Sequence, residues 1–397
     1  MMLRLVTIVG ASASFFLLLS VVPLYAEESG GGSGAAGLST SALMLATVCG
    51  ELAAPRLTAR YGYRLVLATG LVLLGAPSLL LTMSPLSSVA QSTGSIVAVC
   101  LVRGAGFALT VVGGGALTAM LIPPERRGEG LALVGVVSGA QSVVALPLGV
   151  WLARHAGFTA VFVIAAVLPL ATVPAVAGLP RRAPAAQQPL GMVDGFRTPA
   201  LALPATVFAT TALGAGIIAT FLPLAVPPDR AGLVSAALFL QAATAIGARW
   251  VAGRYGDRHG PAGLVVPGLL LCAGGVLATA PTGSAAAVLV GMALFGTGFG
   301  IAQNATQTLM YARVPPSGYG VASALWNFAY DAGMGLGAVF FGLLHAGTSY
   351  SVAFATTGAL MTAALVPAWY DHRLSRPRAS TPRSPSDAKD RPTDSRP

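Results

Sequence analysis

Three ionisable residues lie inside otherwise apolar stretches of this chain, and they are the first candidates for chemistry. Asp331, Glu51 and Arg103 each have no other charged residue within four positions on either side. Taking a charge out of water costs several kcal/mol unless the charge is paired. A carboxyl group in such a place can take up and release a proton, or balance a cationic ligand. An arginine keeps its proton, so it can hold an anionic group or stabilise a neighbouring carboxylate.

Polar and aromatic side chains accompany Asp331 in the sequence. Asn327, Tyr330 and Asp331 stand at i, i+3 and i+4 and therefore share one face of a helix. Trp326 comes four residues before Tyr330, so the two rings lie on adjoining turns. A preceding apolar stretch holds three more polar residues, namely Gln303, Asn304 and Gln307. We expect these groups to line the path of a ligand, although they could also bridge neighbouring helices.

The stretches that hold these residues are predicted to cross a membrane. Hydrophobic residues make up 55% of the chain and charged residues only 9%, whereas a soluble domain has about 25% charged residues. A helix crosses the apolar core of a bilayer with about 20 residues. Twelve apolar runs reach that length, with approximate limits 5–25, 37–56, 64–84, 95–121, 130–152, 157–179, 200–225, 231–252, 262–281, 285–312, 319–344 and 350–370. The predicted fold is therefore an all-α integral membrane protein with twelve transmembrane helices.

The chain is also predicted to consist of two similar halves. A Gly-x-Gly-Phe stretch, a Pro-Pro pair and a later Gly occur twice with the same gaps, at 104–128 and at 296–320. Two large membrane-embedded halves related by pseudo-symmetry are typical of secondary transporters. We predict two six-helix bundles, residues 1–179 and 200–370. A cytoplasmic linker, 180–199, joins them, and a disordered cytoplasmic tail, 371–397, follows.

The duplication makes the intramembrane charges informative, because each charge occurs in one half only. The two copies are 192 residues apart, so Arg103 corresponds to Phe295 and Asp331 corresponds to Gly139. The equivalent half therefore packs without the charge. An ionisable residue within a membrane helix is by default a functional group, so Arg103 and Asp331 are predicted to face a central cavity.

Two further charges lie nearer to the predicted membrane surface. A second repeated loop gives an offset of 198 residues, which sets Glu51 against Arg249. Glu51 suits a proton site, a salt bridge at a gate or a surface position equally well. Arg249 is expected to extend its head group to the membrane surface.

Arginine residues are concentrated in alternate loops of the predicted topology. Arg56, Arg60, Arg126, Arg127 and Arg258 fall on one side, whereas the other side has Arg154, Arg230, Glu27 and Glu28. This asymmetry predicts that both termini are cytoplasmic. The end of the first run, Leu24-Tyr25-Ala26, is also compatible with a secretory signal. Its removal would leave eleven spans and break the two-half pattern, so we interpret the run as the first helix.

No pattern typical of an enzyme or of a prosthetic group is present in the sequence. Cys49, Cys100 and Cys272 have no metal or disulfide spacing, and the four His are scattered. The chain has no Gly-x-x-x-x-Gly-Lys-Ser/Thr phosphate loop, which argues against ATP as the energy source. The net charge of +10 is attributed to membrane orientation. We therefore expect no cofactor, metal or nucleic-acid partner, and a membrane enzyme or receptor is the weaker alternative.

The loop that follows the eighth apolar run resembles a signature of the major facilitator superfamily. Residues 253–260 read Gly-Arg-Tyr-Gly-Asp-Arg-His-Gly, which matches that family's Gly-x-x-x-Asp-Arg-x-Gly loop at every fixed position. The counterpart at 55–62 departs from it, because Pro55 replaces Gly and Ala59 replaces Asp. The resemblance implies a cytoplasmic gate that holds helix ends together in one state, with the predicted gate residues Gly253, Asp257, Arg258, Gly260, Arg60 and Gly62.

Two helices extend the resemblance. Residues 101–106, Leu-Val-Arg-Gly-Ala-Gly, are similar to the family's fourth-helix motif of an Arg followed by small residues. Gly135, Gly139, Pro147 and Gly149 are similar to the fifth-helix motif of drug/proton antiporters, although Leu146 stands where that motif has Gly. The resemblance implies a proton-coupled exporter of a drug-like or metabolic small molecule, monomeric, in the cell (inner) membrane and working by alternating access.

Within this interpretation the charged residues receive roles. Asp331 is predicted to carry the proton, Glu51 is the second candidate, and Arg103 is the charge that tunes the carboxyl group. The predicted substrate cavity comprises Gln303, Asn304, Gln307, Trp326, Asn327 and Tyr330. A proton-coupled importer of a sugar or another small metabolite remains the alternative function.

Overall fold

The computed structural model describes residues 2–83, 92–180, 191–226 and 230–375, and every regular element within those ranges is helical. Twelve of the described segments are long and apolar enough to cross a membrane, which confirms the predicted all-α fold. In chain order these spans are Met2–Ser29, Leu38–Tyr61, Tyr63–Thr82, Thr93–Leu121, Pro124–Leu146, Leu148–Val176, Pro199–Ala225, Gly232–His259, Ala262–Thr279, Ala285–Ala312, Pro316–His345 and Tyr350–Asp371. They are called the first to the twelfth span.

The helices themselves are partly longer and partly shorter than the spans. In the first half they run Met2–Ala26, Gly32–Tyr61, Tyr63–Gly75, Ser78–Thr82, Thr93–Leu121, Arg127–Leu170 and Val173–Val176. In the second half they run Met192–Arg197, Pro199–Ala225, Ala231–His259, Ala262–Thr279, Ala285–Ala312, Tyr319–Ala346, Tyr350–Met361 and Leu365–Ser375. A π-helical turn, Glu27–Gly31, follows the first helix, where the sequence pattern predicts a loop.

A glycine kinks the long helix that holds the fifth and sixth spans. Within helix Arg127–Leu170, Gly157 of the sixth span has a φ of 82°, which lies in the left-handed region. Gly tolerates this conformation because it has no Cβ. The same explanation applies to Gly62 and Gly260, with φ of 81° and 86°, which end the second and the eighth spans and start the following turns. Gly62 and Gly260 belong to the predicted gate.

Equivalent helix pairs pack together in both halves. In the first half the fourth span contacts the second and the third, and the first span contacts helix Arg127–Leu170. In the second half the tenth span contacts the eighth and the ninth, and the seventh contacts the eleventh. A shift of six spans converts one set of pairs into the other. Between the halves, helix Arg127–Leu170 contacts the eighth and tenth spans, and the eleventh span contacts the second and fourth.

Glycines allow backbones to approach closely at several of these contacts. A Cβ added to Gly333 of the eleventh span would lie 2.5 Å from the carbonyl oxygen of Ala209 in the seventh span. Gly337 of the eleventh span also faces the backbone of the seventh span. Gly296 and Gly300 of the tenth span face the backbone of the eighth span. These small residues therefore allow the helices to pack backbone to backbone.

The predicted linker and tail fall partly outside the described residues, which omit 181–190 and 376–397. The described end of the linker contains a short helix, Met192–Arg197, which contacts the eleventh span. The last helix continues to Ser375, and Asp371 within it is buried and bound to Arg313, with Nη1 to Oδ1 at 2.5 Å. The predicted tail boundary at 371 was therefore wrong, because this ion pair holds the start of the predicted tail against the bundle.

Gly333→Ala is expected to destabilise the protein, since the added methyl group meets a backbone oxygen that cannot move aside. We expect a loss of about 1–3 kcal/mol in the free energy of unfolding, the usual effect of overpacking. Gly335→Ala is the matched control, because an added Cβ there has no atom within 4 Å. Thermal unfolding of the purified protein in detergent measures both. Equal melting midpoints for the two variants would contradict the close contact.

Candidate functional site

Two acidic side chains meet where the halves touch. Glu51 lies in the second span and Asp331 in the eleventh, and their carboxyl groups are within hydrogen-bonding range of each other. Glu51 is only 1% exposed, and its Oε2 has no protein partner. Two ionised carboxylates in contact repel each other, whereas a pair that shares one proton forms a hydrogen bond. This contact between the halves therefore needs a proton.

A half-buried arginine, Arg249, lies near this pair. Arg249 of the eighth span donates from Nη1 to Gln303 Oε1 at 3.0 Å and from Nη2 to Gln307 Oε1 at 3.2 Å. Its guanidinium carbon lies 6.0 Å from the centroid of the Trp326 ring. Its head group also lies directly against Gly135 of the opposite half. The expectation that Arg249 extends to the membrane surface was wrong, because the two glutamine oxygens inside the bundle hold its head group.

An aromatic stack borders Arg249 in the second half. Phe208 of the seventh span stacks on Trp326 with centroids 4.5 Å apart, and on Tyr330 at 6.0 Å. Trp326 donates from its indole nitrogen to the hydroxyl of Thr306 at 3.1 Å. The rings of Trp326 and Tyr330 are nearly parallel, as the spacing in the sequence predicts. The stack therefore joins the seventh, tenth and eleventh spans and forms a flat wall beside the charged groups.

Two predicted cavity residues bind backbone atoms instead of facing open space. Asn304 is buried and donates to the carbonyl oxygen of Gly128 at 3.0 Å, which links the tenth span to the fifth. Asn327 donates to the carbonyl oxygen of Ser323 in its own helix at 2.8 Å. In this conformation Asn304 joins the halves, and Asn327 is satisfied locally.

Arg103 lies within the first half and is almost completely buried, at 2% exposure. Its Nη1 donates to the carbonyl oxygen of Leu74 at 2.5 Å and to the hydroxyl of Ser78, and its Nη2 donates to the carbonyl oxygen of Ser14 at 3.2 Å. These contacts tie the fourth span to the first and third. The charge is thus matched by oxygens of its own bundle, at a distance in the fold from the pair of carboxyl groups on which it was predicted to act.

The predicted gate residue Asp257 joins the end of the eighth span to the start of the fifth span. Asp257 accepts hydrogen bonds from the backbone nitrogens of Gly128 and Glu129, at 2.6 and 2.8 Å. A carboxylate at the start of a helix is favoured by free N–H groups and by the helix dipole. Gly128 and Gly253 allow this approach, since a Cβ on Gly128 would lie 2.6 Å from the oxygen of Gly253.

A second contact between the halves uses different chemistry. Arg127 and Tyr319 are 192 residues apart, the offset of the duplication, and they bind each other through Nη2 and the phenol oxygen at 2.7 Å. The guanidinium carbon also lies 5.2 Å from the Tyr319 ring centroid. This contact joins the fifth and eleventh spans. The repeat offset was a signal for the pair that the sequence analysis did not use.

The two arginines of the predicted gate are on the surface. Arg258 and Arg60 are exposed, and Arg60 lies over the ring of Tyr61 with 5.2 Å to the centroid. Arg254 approaches Glu129 at 3.9 Å, and Glu129 is bound more closely by Arg126 at 2.9 Å. Exposed pairs of this kind contribute little to stability. Asp257 is therefore the gate residue with the strongest contacts.

One polar residue of the fifth span, Gln141, is not among the site residues predicted from the sequence. Both its Oε1 and its Nε2 are buried without a protein partner. A buried amide with no partner costs free energy, so it needs water or a ligand in some state of the protein. A lone glutamine in an apolar run was the available signal.

Twelve spans in the described part of the chain, packed as two equivalent sets, are typical of a membrane transporter. A family model described as Major Facilitator Superfamily matches residues 5–338. The chain belongs to the major facilitator superfamily. It is 26% identical over 379 residues to an uncharacterized MFS-type transporter of Salmonella typhimurium, covering 91% of this chain and 96% of that protein.

Solved structures with the same fold transport different compounds. A human organic anion transporter superposes with a TM-score of 0.77 and 15% identity, covering 93% of this chain and 97% of that one. The E. coli fucose:proton symporter gives 0.74 and 15%, with the same coverage. A proton:xylose symporter gives 0.72 and 13%, covering 92% and 95%. At these identities the likeness establishes the fold alone.

Asp257→Ala is expected to slow transport several-fold while binding of the substrate changes little, because it removes both acceptors that hold the closed gate. Hydrogen bonds to a charged group contribute roughly 1.5–3 kcal/mol, which is sufficient to shift the balance between two states. Turnover in proteoliposomes and equilibrium binding in detergent separate the two effects. Arg254→Gln is the control, since its contact is long and exposed. Unchanged turnover in Asp257→Ala would remove the residue from the gate.

Proposed function

We propose that this protein is a proton-coupled secondary transporter that exports a small molecule by alternating access, with Glu51 and Asp331 as its proton site. The supporting observation is that the two carboxyl groups come from different halves and meet where the halves touch. A proton bound at such a contact affects the relative position of the halves directly.

The proposed coupling follows from electrostatics. With one shared proton, Glu51 and Asp331 attract each other and hold the halves together where the second and eleventh spans meet. When the proton leaves, two like charges about 4 Å apart repel with about 4 kcal/mol at the effective dielectric constant of a protein. That energy changes the ratio of two conformations by about a thousandfold. Loss of the proton is thus sufficient to open the contact.

The energy source also suffices for transport. One charge that crosses a membrane potential of 100 mV releases about 2.3 kcal/mol, which supports a roughly fifty-fold gradient of substrate. The gate of Asp257, Arg127 and Tyr319 closes one side of the protein while the proton site is formed. Arginines in the adjoining loops favour the cytoplasm for that side.

The direction of transport and the drug/proton antiporter branch are proposals that rest on the partial fifth-span motif. The same proton site would also serve an importer of a sugar or another small metabolite, because only the order of binding and release differs. Neither direction requires a cofactor, and a single chain contains both halves of the mechanism.

Asp331→Asn is expected to abolish gradient-driven transport and to leave exchange of labelled substrate largely intact, since an amide cannot release a proton but preserves the shape of the contact. If both groups share the proton, Glu51→Gln should likewise abolish gradient-driven transport and preserve exchange of labelled substrate. Glu129→Gln is the control, because that carboxyl lies at the gate surface. Transport is measured in vesicles with a substrate found by drug-susceptibility profiling of an expressing strain. Active transport in both single variants would refute the proton site.

Everted membrane vesicles distinguish the two directions. An exporter that exchanges protons for substrate should accumulate substrate inside such vesicles when their interior is made acid. An importer should not accumulate substrate under this gradient. Vesicles that contain the Asp331→Asn variant provide the background value.

A further inference from the structure

Arg249 has a positive charge that its surroundings do not balance. Among the described residues, no carboxylate oxygen lies within 4.0 Å of its guanidinium nitrogens. Its hydrogen-bond acceptors are the two neutral side chains Gln303 and Gln307. Its Nε is buried and has no partner. A buried N–H donor without an acceptor is costly, so a further acceptor for this half-buried guanidinium is expected in some state of the protein.

The position of Arg249 makes it accessible from the space between the halves. Gln303 and Gln307 belong to the second half, as Arg249 does, and they bind one edge of the guanidinium. Gly135 of the first half covers the group, and a Cβ there would meet the guanidinium itself. When the halves separate during alternating access, Gly135 moves away, and the guanidinium faces the central space while its glutamine contacts remain.

Arg249 differs in this respect from Arg4 and Arg103, whereas the Nε of Arg127 at the predicted gate is also buried without a partner. Arg4 binds four oxygen atoms of the first and fourth spans, at 2.9 to 3.3 Å. Arg103 binds three oxygens of its own half. Both join helices within one bundle, and neither has an unpartnered nitrogen among the buried polar atoms of the described residues. A helix-joining role therefore explains Arg4 and Arg103 but leaves Arg249 Nε unexplained.

We propose that Arg249 binds an anionic group of the transported substrate, such as a carboxylate or a sulfonate, on an aromatic or other flat apolar body. This inference rests on the proposed transport function and adds the substrate class. A guanidinium presents a planar set of N–H donors that binds a carboxylate through two hydrogen bonds. Trp326 lies beside the group, and the stack of Phe208, Trp326 and Tyr330 offers a flat surface for the body of such a molecule.

The two polar systems have separate tasks in this proposal. Glu51 and Asp331 bind the proton, whereas Arg249 binds the substrate anion. Tyr330 lies between them, close enough to feel the charges of both Asp331 and Arg249. An anion at Arg249 and an ionised carboxylate at Asp331 would disfavour each other across Tyr330, so binding of the anion favours binding of the proton. Such a positive linkage suits joint transport of anion and proton, which is the importer alternative of the proposed function.

The test measures equilibrium binding to the full-length protein purified in detergent, without any gradient. The probes are benzoate, 2-naphthoate and 2-naphthalenesulfonate, each compared with its uncharged amide by isothermal titration calorimetry. We expect at least one anion to bind about tenfold or more tightly than its amide, the effect of hydrogen bonds to a charged group. Arg249→Gln should remove this preference and leave binding of the amide within about twofold.

A second variant keeps the test decisive if Arg249→Gln fails to fold. Gly135→Ala changes no charge but places a methyl group where the guanidinium lies, so it should displace Arg249 and reduce the preference for the anion. Gly139→Ala, one turn along the same helix, is the matched control, because its Cβ would make only ordinary contacts with Ile246, the nearest at 3.6 Å. It should bind the anion as the unmodified protein does.

The outcomes separate this inference from the proposed function. If no anion binds more tightly than its amide, or if the preference survives both Arg249→Gln and Gly135→Ala, the anion site is overturned. Proton-driven transport that depends on Asp331 can still be found for an uncharged substrate in that case. Conversely, a preference for the anion that is lost in Arg249→Gln supports the site even if transport proves independent of protons.

Discussion

The contact between Glu51 and Asp331 is the interaction on which the proposed mechanism depends. Each residue belongs to a helix that meets the other half, and neither helix on its own gives a reason for an acid at that depth. Two carboxyl groups in contact are stable only with a shared proton. The position of the halves and the occupancy of the proton site are therefore linked by Coulomb repulsion alone. No cofactor is needed for the coupling, and the effect is strong because water is largely excluded from the site.

The duplication provides the frame in which this contact operates. Equivalent helix pairs form two similar bundles, and the residues at which the bundles touch are not equivalent in chemistry. Asp257 binds two backbone nitrogens of the opposite half at one contact, whereas Arg127 and Tyr319 bind each other at the other contact. Both arrangements replace water at helix ends with charge-assisted hydrogen bonds that are broken when the halves separate. Contacts that differ in chemistry between two similar halves can thus stabilise one conformation of the protein and still break when the halves separate.

Buried arginines illustrate how similar residues take different roles. Arg4 and Arg103 are surrounded by carbonyl and hydroxyl oxygens of neighbouring helices, so each stabilises a bundle. Arg249 is held by two glutamines on one edge and covered by a glycine of the opposite half. Its charge is exposed to whatever enters between the halves, which is the basis for assigning it to an anionic substrate. The distinction depends on the unpartnered Nε of Arg249 and on its position against the opposite half, and the type of residue does not reveal either.

The amino-acid sequence by itself determined the twelve spans, the duplication and the few charged residues that the duplication does not repeat. These features depend on composition and on periodicity along one helix, which are local. Tertiary structure decided which charges meet. Spacing predicted that Asn327, Tyr330 and Asp331 share a helix face, but the rotation of that face towards Glu51 depends on packing against another half of the chain. Arg249 was assigned to the surface because a long side chain can extend in either direction, and only the oxygens of Gln303 and Gln307, supplied by another helix, fix it inside.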